Sequence, residues 1–164
     1  MPVSLYERVR RNHAIEHAAM HYLALNPSHP RLVARSDWSG FTFYGEVDTL
    51  ALMQATEQGI RALRAGHRQL AIHPRCGSNI AASFLLATAA LWITGVTERF
   101  NRRRWSPLVP LGAFLGAMLL GRPLGRLAQQ QLLTSPIAGD ARISAIRHET
   151  GGRVPVHRVI IDHG

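Results

Sequence analysis

Two histidines and a glutamate lie close together in residues 12–17, whose sequence is Asn-His-Ala-Ile-Glu-His. If this stretch is helical, the period of about 3.6 residues places His13 and His17 one turn apart, where two imidazoles can bind one metal ion. Glu16 is one step round the helix and could act as a general base on a water molecule at that ion. The pattern predicts metal-dependent hydrolysis. Because the histidines do not face the main apolar stripe, a solvated histidine face is the alternative interpretation.

A second pair of candidate ligands follows in residues 73–79, with the sequence His-Pro-Arg-Cys-Gly-Ser-Asn. His73 and Cys76 are separated by two residues on a tight turn, an arrangement that often presents two side chains to one metal. A catalytic zinc takes three protein ligands and a structural zinc takes four, so His13 and His17 need one or both members of this pair. We therefore predict zinc, in an open site if one member stays out and in a closed site if both bind.

Several residues have competing interpretations. His21, Glu46 and Asp48 are weaker candidates for the additional ligand. Taken alone, His73 is better explained as a turn histidine at a membrane interface, and Cys76 as a small buried residue at a helix start. The case for His73 and Cys76 as ligands becomes stronger only because they are considered together with His13 and His17. A nucleophilic Cys76 with His73 as its base ranks low, because no orienting acid is visible. The remaining histidines are predicted to be solvated: His29, His67, His148, His157 and His163.

The composition limits the class of protein. The chain has 164 residues, one cysteine and a net charge of +9 that comes from arginine alone. This length suits one compact unit with an appendage, and a single cysteine excludes an internal disulfide. Arginine beside apolar segments favours anionic surfaces. The arginines are not interleaved with aromatic residues on one face, and no phosphate-binding loop is present, so we predict a lipid bilayer as partner and no nucleic acid.

Two uncharged apolar runs, at about residues 80–96 and 106–121, approach the length needed to cross a hydrocarbon core. The arginines and the tryptophan between them suit a turn at the level of the lipid headgroups. We predict a hairpin of two spans in the cell membrane, with both flanking regions on the same side. Cytoplasmic flanks are preferred because no export signal is visible. The alternative is a soluble helical hairpin buried in a homo-oligomer.

The rest of the chain predicts a small α+β domain of two helices and two β-hairpins, interrupted by the transmembrane hairpin. Capping residues, turn residues and periodicity place helices at residues 4–25 and 49–65 and strands at 31–35, 41–45, 69–72, 143–147 and 154–161. The two hairpins are predicted to share one sheet covered by the helices. Three parts follow, namely an N-terminal part with the metal site at residues 1–79, the membrane hairpin at 80–128, and a completing β-hairpin at 129–164.

Several blocks resemble one family of small, uncharacterised bacterial integral membrane proteins. The blocks are Arg-Arg-Asn-His-Ala-Ile-Glu-His-Ala at residues 10–18, Gly-Phe at 40–41, Gly-Glu-Val-Asp-Thr at 45–49, Leu-Ala-Ile-His-Pro-Arg-Cys-Gly-Ser-Asn at 70–79, Arg-Pro-Leu-Gly at 122–125 and His-Arg-Val at 157–159. The resemblance covers nearly the whole chain and implies an integral membrane protein of unassigned activity.

The order His-x-x-Glu-His is also similar to the motif of the inverzincin metallopeptidases, a likeness confined to His13, Glu16 and His17. It implies a zinc peptidase in which Glu16 is the general base. Combined with the residue pattern, it leaves two hypotheses. In the first, a membrane protein uses zinc to hydrolyse a substrate such as a peptide. In the second, a non-enzymatic membrane protein has a structural metal or none and acts as an interaction module at the membrane surface.

Overall fold

Eight regular elements form the computed structural model, which describes residues 3–25, 32–101, 106–149 and 154–164. The helices are α1 (Leu5–Leu23), α2 (Thr49–Arg64), α3 (Gly77–Asn101) and α4 (Leu108–Ala128). The strands are β1 (Val33–Asp37), β2 (Gly40–Tyr44), β3 (Arg142–Glu149) and β4 (Val156–Asp162). A short 3-10 turn covers Arg68–Ala71, and a π-helical turn covers Gln129–Leu133. The predicted mixed α+β class is confirmed.

The four strands form one antiparallel sheet in the order β1-β2-β4-β3. Strands β2 and β4 pair with Phe41 opposite Val159, so the two predicted hairpins join into one sheet. Side chains alternate between the two faces of a strand, and the buried set on β2 and β4 includes Phe41, Phe43, Val159 and Ile161. These side chains pack with buried residues of α1, such as Ile15, in one hydrophobic core.

The helix starts follow the predicted capping chemistry. The Ser4 side chain accepts a hydrogen bond from the Glu7 amide at 3.2 Å, and Asp48 accepts one from the Ala51 amide at 2.8 Å. Each bond satisfies an amide that has no partner within its own helix. Further along, Gly59 of α2 lies so close to α1 that an added Cβ would be 2.9 Å from the Cβ of Ala18. The backbones of the two helices therefore pack closely, and a side chain at position 59 would not fit between them.

One predicted strand is wrong. Residues 69–72 contribute to a 3-10 turn, not to a third strand. Their amides are satisfied locally, since Leu70 donates to the His67 carbonyl at 3.1 Å and Ile72 donates to the Gln69 carbonyl at 3.2 Å. A strand needs hydrogen bonds to a neighbouring strand, and this segment has its bonds within itself.

The chain divides into two compact units, Met1–His73 with Gln130–Gly164 and Pro74–Gln129. The second unit contains α3 and α4. Two segments, Gly77–Phe100 and Leu108–Leu133, are long and apolar enough to cross a membrane, with mean hydropathies of 1.8 and 1.4. Only 11% of each apolar window is buried, whereas the core helix of a soluble chain is mostly buried. By length and composition, both helices could therefore cross a membrane.

Candidate metal centre

Helix α1 is fixed in the first unit by the segment that follows α4. The Arg10 guanidinium donates to the carbonyl of Thr134 at 2.9 Å, and the Ser135 amide donates to the carbonyl of Arg10 at 3.0 Å. Glu7 accepts hydrogen bonds from Ser135, at 2.6 Å, and from Arg10 and Arg11. Burial alone would raise the pKa of Glu7, but these partners hold it below its usual value. The helix that carries the histidines is therefore anchored by charge-assisted bonds.

His17 has the environment of a metal ligand. Its Nδ1–H donates to the carbonyl of Ala71 at 2.7 Å, so the ring nitrogen Nε2 carries the lone pair. The side chain is 2% exposed, and Nε2 has no hydrogen-bond partner among the described residues. A buried polar atom without a partner is costly, and metal-binding histidines usually donate their other ring N–H to a carbonyl. Both observations fit Nε2 as a metal donor.

Backbone carbonyls also orient the other two histidines of α1, His13 and His21. His13 donates from Nδ1 to the carbonyl of Leu133 at 3.1 Å, and His21 donates from Nε2 to the carbonyl of Ile72 at 2.9 Å. A carbonyl can only accept, so each bond fixes the tautomer of its ring. The solvated histidine face considered from the sequence is wrong for His17, because the 3-10 turn before α3 covers it.

His73 completes a group of four imidazoles within the first unit. The ring centroids of His13 and His17 are 4.3 Å apart, those of His17 and His73 are 5.8 Å apart, and those of His21 and His73 are 5.0 Å apart. Helix α1 thus meets the residues ahead of α3, where the sequence placed the metal site. His13 and His17 are close enough for two nitrogens to bind one ion at zinc distances of about 2.0–2.1 Å.

Cys76 belongs to the second unit and lies three positions after His73 in the chain. It forms no disulfide and is half-buried, and its sulfur accepts a hydrogen bond from the Ser78 hydroxyl at 3.2 Å. The thiolate is the form of cysteine that binds metals. The role of Cys76 as a metal ligand beside His13 and His17 stays a prediction from the sequence. Three such donors would leave one tetrahedral position open.

Glu16 lies on the side of α1 that faces β1. Its carboxylate is 6% exposed and accepts a hydrogen bond on Oε2 from the Ser36 hydroxyl at 2.5 Å. Burial raises the pKa of the Glu16 carboxyl, and the Ser36 bond and the charge of His13 offset part of this rise. No described residue donates a hydrogen bond to Oε1. A buried carboxylate of raised pKa with one oxygen left to accept a proton is suited to general-base chemistry.

The weaker ligand candidates and the remaining histidines differ in exposure and in contacts. Asp48 serves as the N-cap of α2, and Glu46 is exposed. His67 and His148 are exposed, as predicted, whereas His29 lies outside the described residues. The prediction of solvated side chains is wrong for two histidines of the sheet region, His157 and His163, which are 2% and 5% exposed.

His163 predicts a pH dependence of stability. Its Nε2–H donates to the Asn12 side-chain oxygen at 2.8 Å, and its Nδ1 is buried and has no partner in the described ranges of the chain. Burial lowers the pKa of His163, and the charges of Arg11 and Arg8 lower it further. A base whose pKa is lowered on folding is neutral in the folded state, so its contribution to stability is complete above about pH 6.5 and is lost as the pH falls below it.

We expect the unfolding temperature of the metal-free protein to drop between about pH 7.5 and pH 5.5, and the drop to be smaller in His163→Gln. Burial lowers the pKa of His157 as well, so the variant removes only part of the effect. His67→Gln, at an exposed position, is the control and should behave like the parent. An identical drop in His163→Gln and the parent would contradict this assignment.

The comparison with known proteins places the chain in a family. Residues 8–146 match the family model described as a domain of unknown function, DUF6391, over most of the chain. The chain belongs to the DUF6391 family. An uncharacterized protein of Picosynechococcus sp. (strain ATCC 27264 / PCC 7002 / PR-6) is 33% identical over 137 residues, which are 77% of this chain and 66% of that relative. The chain therefore spans slightly less than two thirds of the relative's length. No solved structure matches.

Four site residues of this DUF6391 domain were not predicted from the sequence. Ala71, Ile72 and Leu133 orient the histidines through backbone carbonyls, and Ser36 binds Glu16 through its hydroxyl. Every residue has a carbonyl, so residue type gives no signal for the first three. A serine on an amphipathic strand beside a buried acid is the only signal that was available for Ser36, and it requires the strand pairing to be known.

Proposed function

We propose that this chain is a membrane-attached zinc protein in which His13, His17 and Cys76 bind the ion. The observation that carries the proposal is the Nε2 atom of His17, which is buried and has no hydrogen-bond partner among the described residues. The Nδ1–H of the same ring donates to the Ala71 carbonyl and fixes the tautomer that a metal requires. Two helices long and apolar enough to cross a membrane supply the attachment.

Zinc is favoured by the chemistry of the donors. Two imidazoles and one thiolate are borderline to soft ligands, which suit zinc rather than magnesium or calcium. The ring of His73 lies beside those of His17 and His21, so His73 is the fourth ligand that we propose for a closed site. With His73 outside, the three donors keep one position for a water molecule or a substrate, as in catalytic zinc sites.

Metal analysis of full-length protein purified without a histidine tag tests the proposal. We expect about one zinc per chain in the parent and a loss of most of it in Cys76→Ser, because a hydroxyl is a much poorer zinc ligand than a thiolate. Arg75→Gln, a neighbouring exposed position without a proposed role at the metal, is the control and should retain the ion. Absence of stoichiometric metal from the parent, or full retention in Cys76→Ser, would contradict the assignment.

A second candidate function is hydrolysis at this zinc, with Glu16 as the general base. Burial raises the pKa of Glu16, and its Oε1 is left without a donor among the described residues. A carboxylate with this environment next to a metal ligand can take a proton from water as that water attacks a substrate. The alternative is a structural ion that stabilises the fold and supports no turnover.

A further inference from the structure

A cleft lies within the second unit, between the first part of α3 and the second half of α4. Its volume is about 760 Å³, which is within the range of ligand-binding pockets. The lining has a cationic part formed by three arginines, Arg75, Arg122 and Arg126. It also has an apolar part formed by Ile80, Phe84, Met118 and Leu119. Among the residues that the structure describes, none with an acidic side chain lines the cleft.

The three arginines have no partner within the part of the chain that the structure describes. Each is exposed, and none of them makes a hydrogen bond or an ion pair with another described residue. Arg122 and Arg126 are four positions apart on α4, so their side chains lie on one face of the helix, one turn apart. Three unneutralised guanidinium groups around one cleft repel each other and favour an anion, above all one that accepts bidentate hydrogen bonds such as phosphate.

The two parts of the lining are separated along the helix axes. On α4, Met118 precedes Arg126 by eight residues, which at about 1.5 Å per residue is roughly 12 Å. On α3, Phe84 follows Gly77, the first residue of the helix, by about 10 Å on the same measure. Arg75 precedes α3, and Arg122 and Arg126 lie in the last two turns of α4, so the arginines lie towards one end of the helix pair. Arg122 and Arg126 are in the C-terminal part of the second apolar segment, and the apolar side chains lie farther along both segments. This is the polarity of a lipid with its headgroup at the interface.

Close packing between α3 and α4 fixes the positions of Arg122 and Arg126. An added Cβ on Gly121 would collide with Ser83, and one on Gly125 would collide with Asn79. The Gln129 amide donates to the Asn79 side-chain oxygen at 2.8 Å, in a buried position. Arg122 and Arg126 directly follow the two glycines, so the same contacts that join the helices set the position of the arginines at the rim of the cleft.

We infer that this cleft binds an anionic phospholipid, with the phosphate on Arg75, Arg122 and Arg126 and one acyl chain along Ile80, Phe84 and Met118. The charge of the rim, the apolar interior and their spacing each match one part of such a lipid. The inference does not depend on the proposed zinc, although Cys76 also borders the cleft.

Lipid binding to full-length protein in non-ionic detergent micelles tests the inference, with phosphatidylglycerol and phosphatidylcholine titrated separately and bound lipid counted by native mass spectrometry. We expect phosphatidylglycerol to bind at least about tenfold more tightly than phosphatidylcholine, because only the first has a net negative charge. Glycerol phosphate and inorganic phosphate should bind more weakly than the lipid, because neither fills the apolar part. A chelator should not change these affinities.

The decisive variant is Arg122→Gln with Arg126→Gln, which should lower the affinity for phosphatidylglycerol by about tenfold or more. Arg35→Gln with Arg147→Gln removes the same net charge at exposed strand positions and should leave that affinity unchanged. If both double variants lose the same affinity for phosphatidylglycerol, net charge alone explains the binding, and the inference is overturned. Equal binding of the two lipids, or inorganic phosphate bound as tightly as phosphatidylglycerol, would overturn it too.

Discussion

Replacing His17 with asparagine is expected to abolish zinc binding and to leave the fold intact. The asparagine amide can donate to the Ala71 carbonyl in place of the imidazole Nδ1–H, which makes that bond at 2.7 Å. The variant has no counterpart of Nε2, the buried atom that lacks a partner. Loss of one of three ligands should weaken zinc binding by about a hundredfold or more, measured by competition with a chromophoric chelator.

Two further variants make this result specific. His13→Asn removes the other imidazole of α1 and should lose the metal to a similar extent, whereas His67→Asn, at an exposed position, should bind zinc like the parent. Far-ultraviolet circular dichroism of the metal-free proteins checks that all three are folded. If folded His17→Asn binds zinc with the affinity of the parent, the ion is elsewhere and the proposed centre is wrong.

Replacing Glu16 with glutamine should abolish hydrolysis while the zinc stays bound, if the site is catalytic. Glutamine keeps the size of the side chain and still accepts the Ser36 hydrogen bond through its carbonyl oxygen. It cannot take a proton from water. The expected decrease in kcat is about 10²- to 10⁴-fold, the usual contribution of a general base, with zinc content unchanged. Turnover would be measured on casein and on a panel of short peptides.

The outcome separates the two functional hypotheses. Equal loss of zinc and turnover in Glu16→Gln would show damage to the site and not the loss of a base. If the parent hydrolyses nothing on the panel, and zinc removal lowers its unfolding temperature, the ion is structural. Ser36→Ala is a useful second variant, because it removes the hydrogen bond to Oε2 and should change the pH profile of kcat without removing the carboxylate.

The sequence was sufficient to predict most of the secondary structure, because the signals were local. Ser4 and Asp48 mark the two helix starts, and their side chains accept the predicted capping bonds. The shared sheet followed from the need of each hairpin to bury one face, and β2 does pair with β4. The close sequence positions of His13 and His17 also sufficed to bring two imidazoles together on α1.

What the sequence could not provide depends on contacts between distant segments. His17 is buried by a 3-10 turn that was predicted to be a strand, because a run of four residues is too short for periodicity to tell the two forms apart. The orientation of the histidines comes from carbonyls more than 50 positions away along the chain. His163 was predicted to be solvated, yet it bonds to Asn12 from the far end of the chain.

The order of strands in the sheet has a consequence for biosynthesis. Strand β4 lies between β2 and β3, so the edge of β2 stays unpaired until the ribosome has made the last strand. By then both apolar helices have been synthesised. The N-terminal half therefore keeps an open strand edge, a feature that favours aggregation, until β4 pairs with it. Because β4 pairs with a strand that lies more than 100 positions earlier in the chain, the sheet should form slowly.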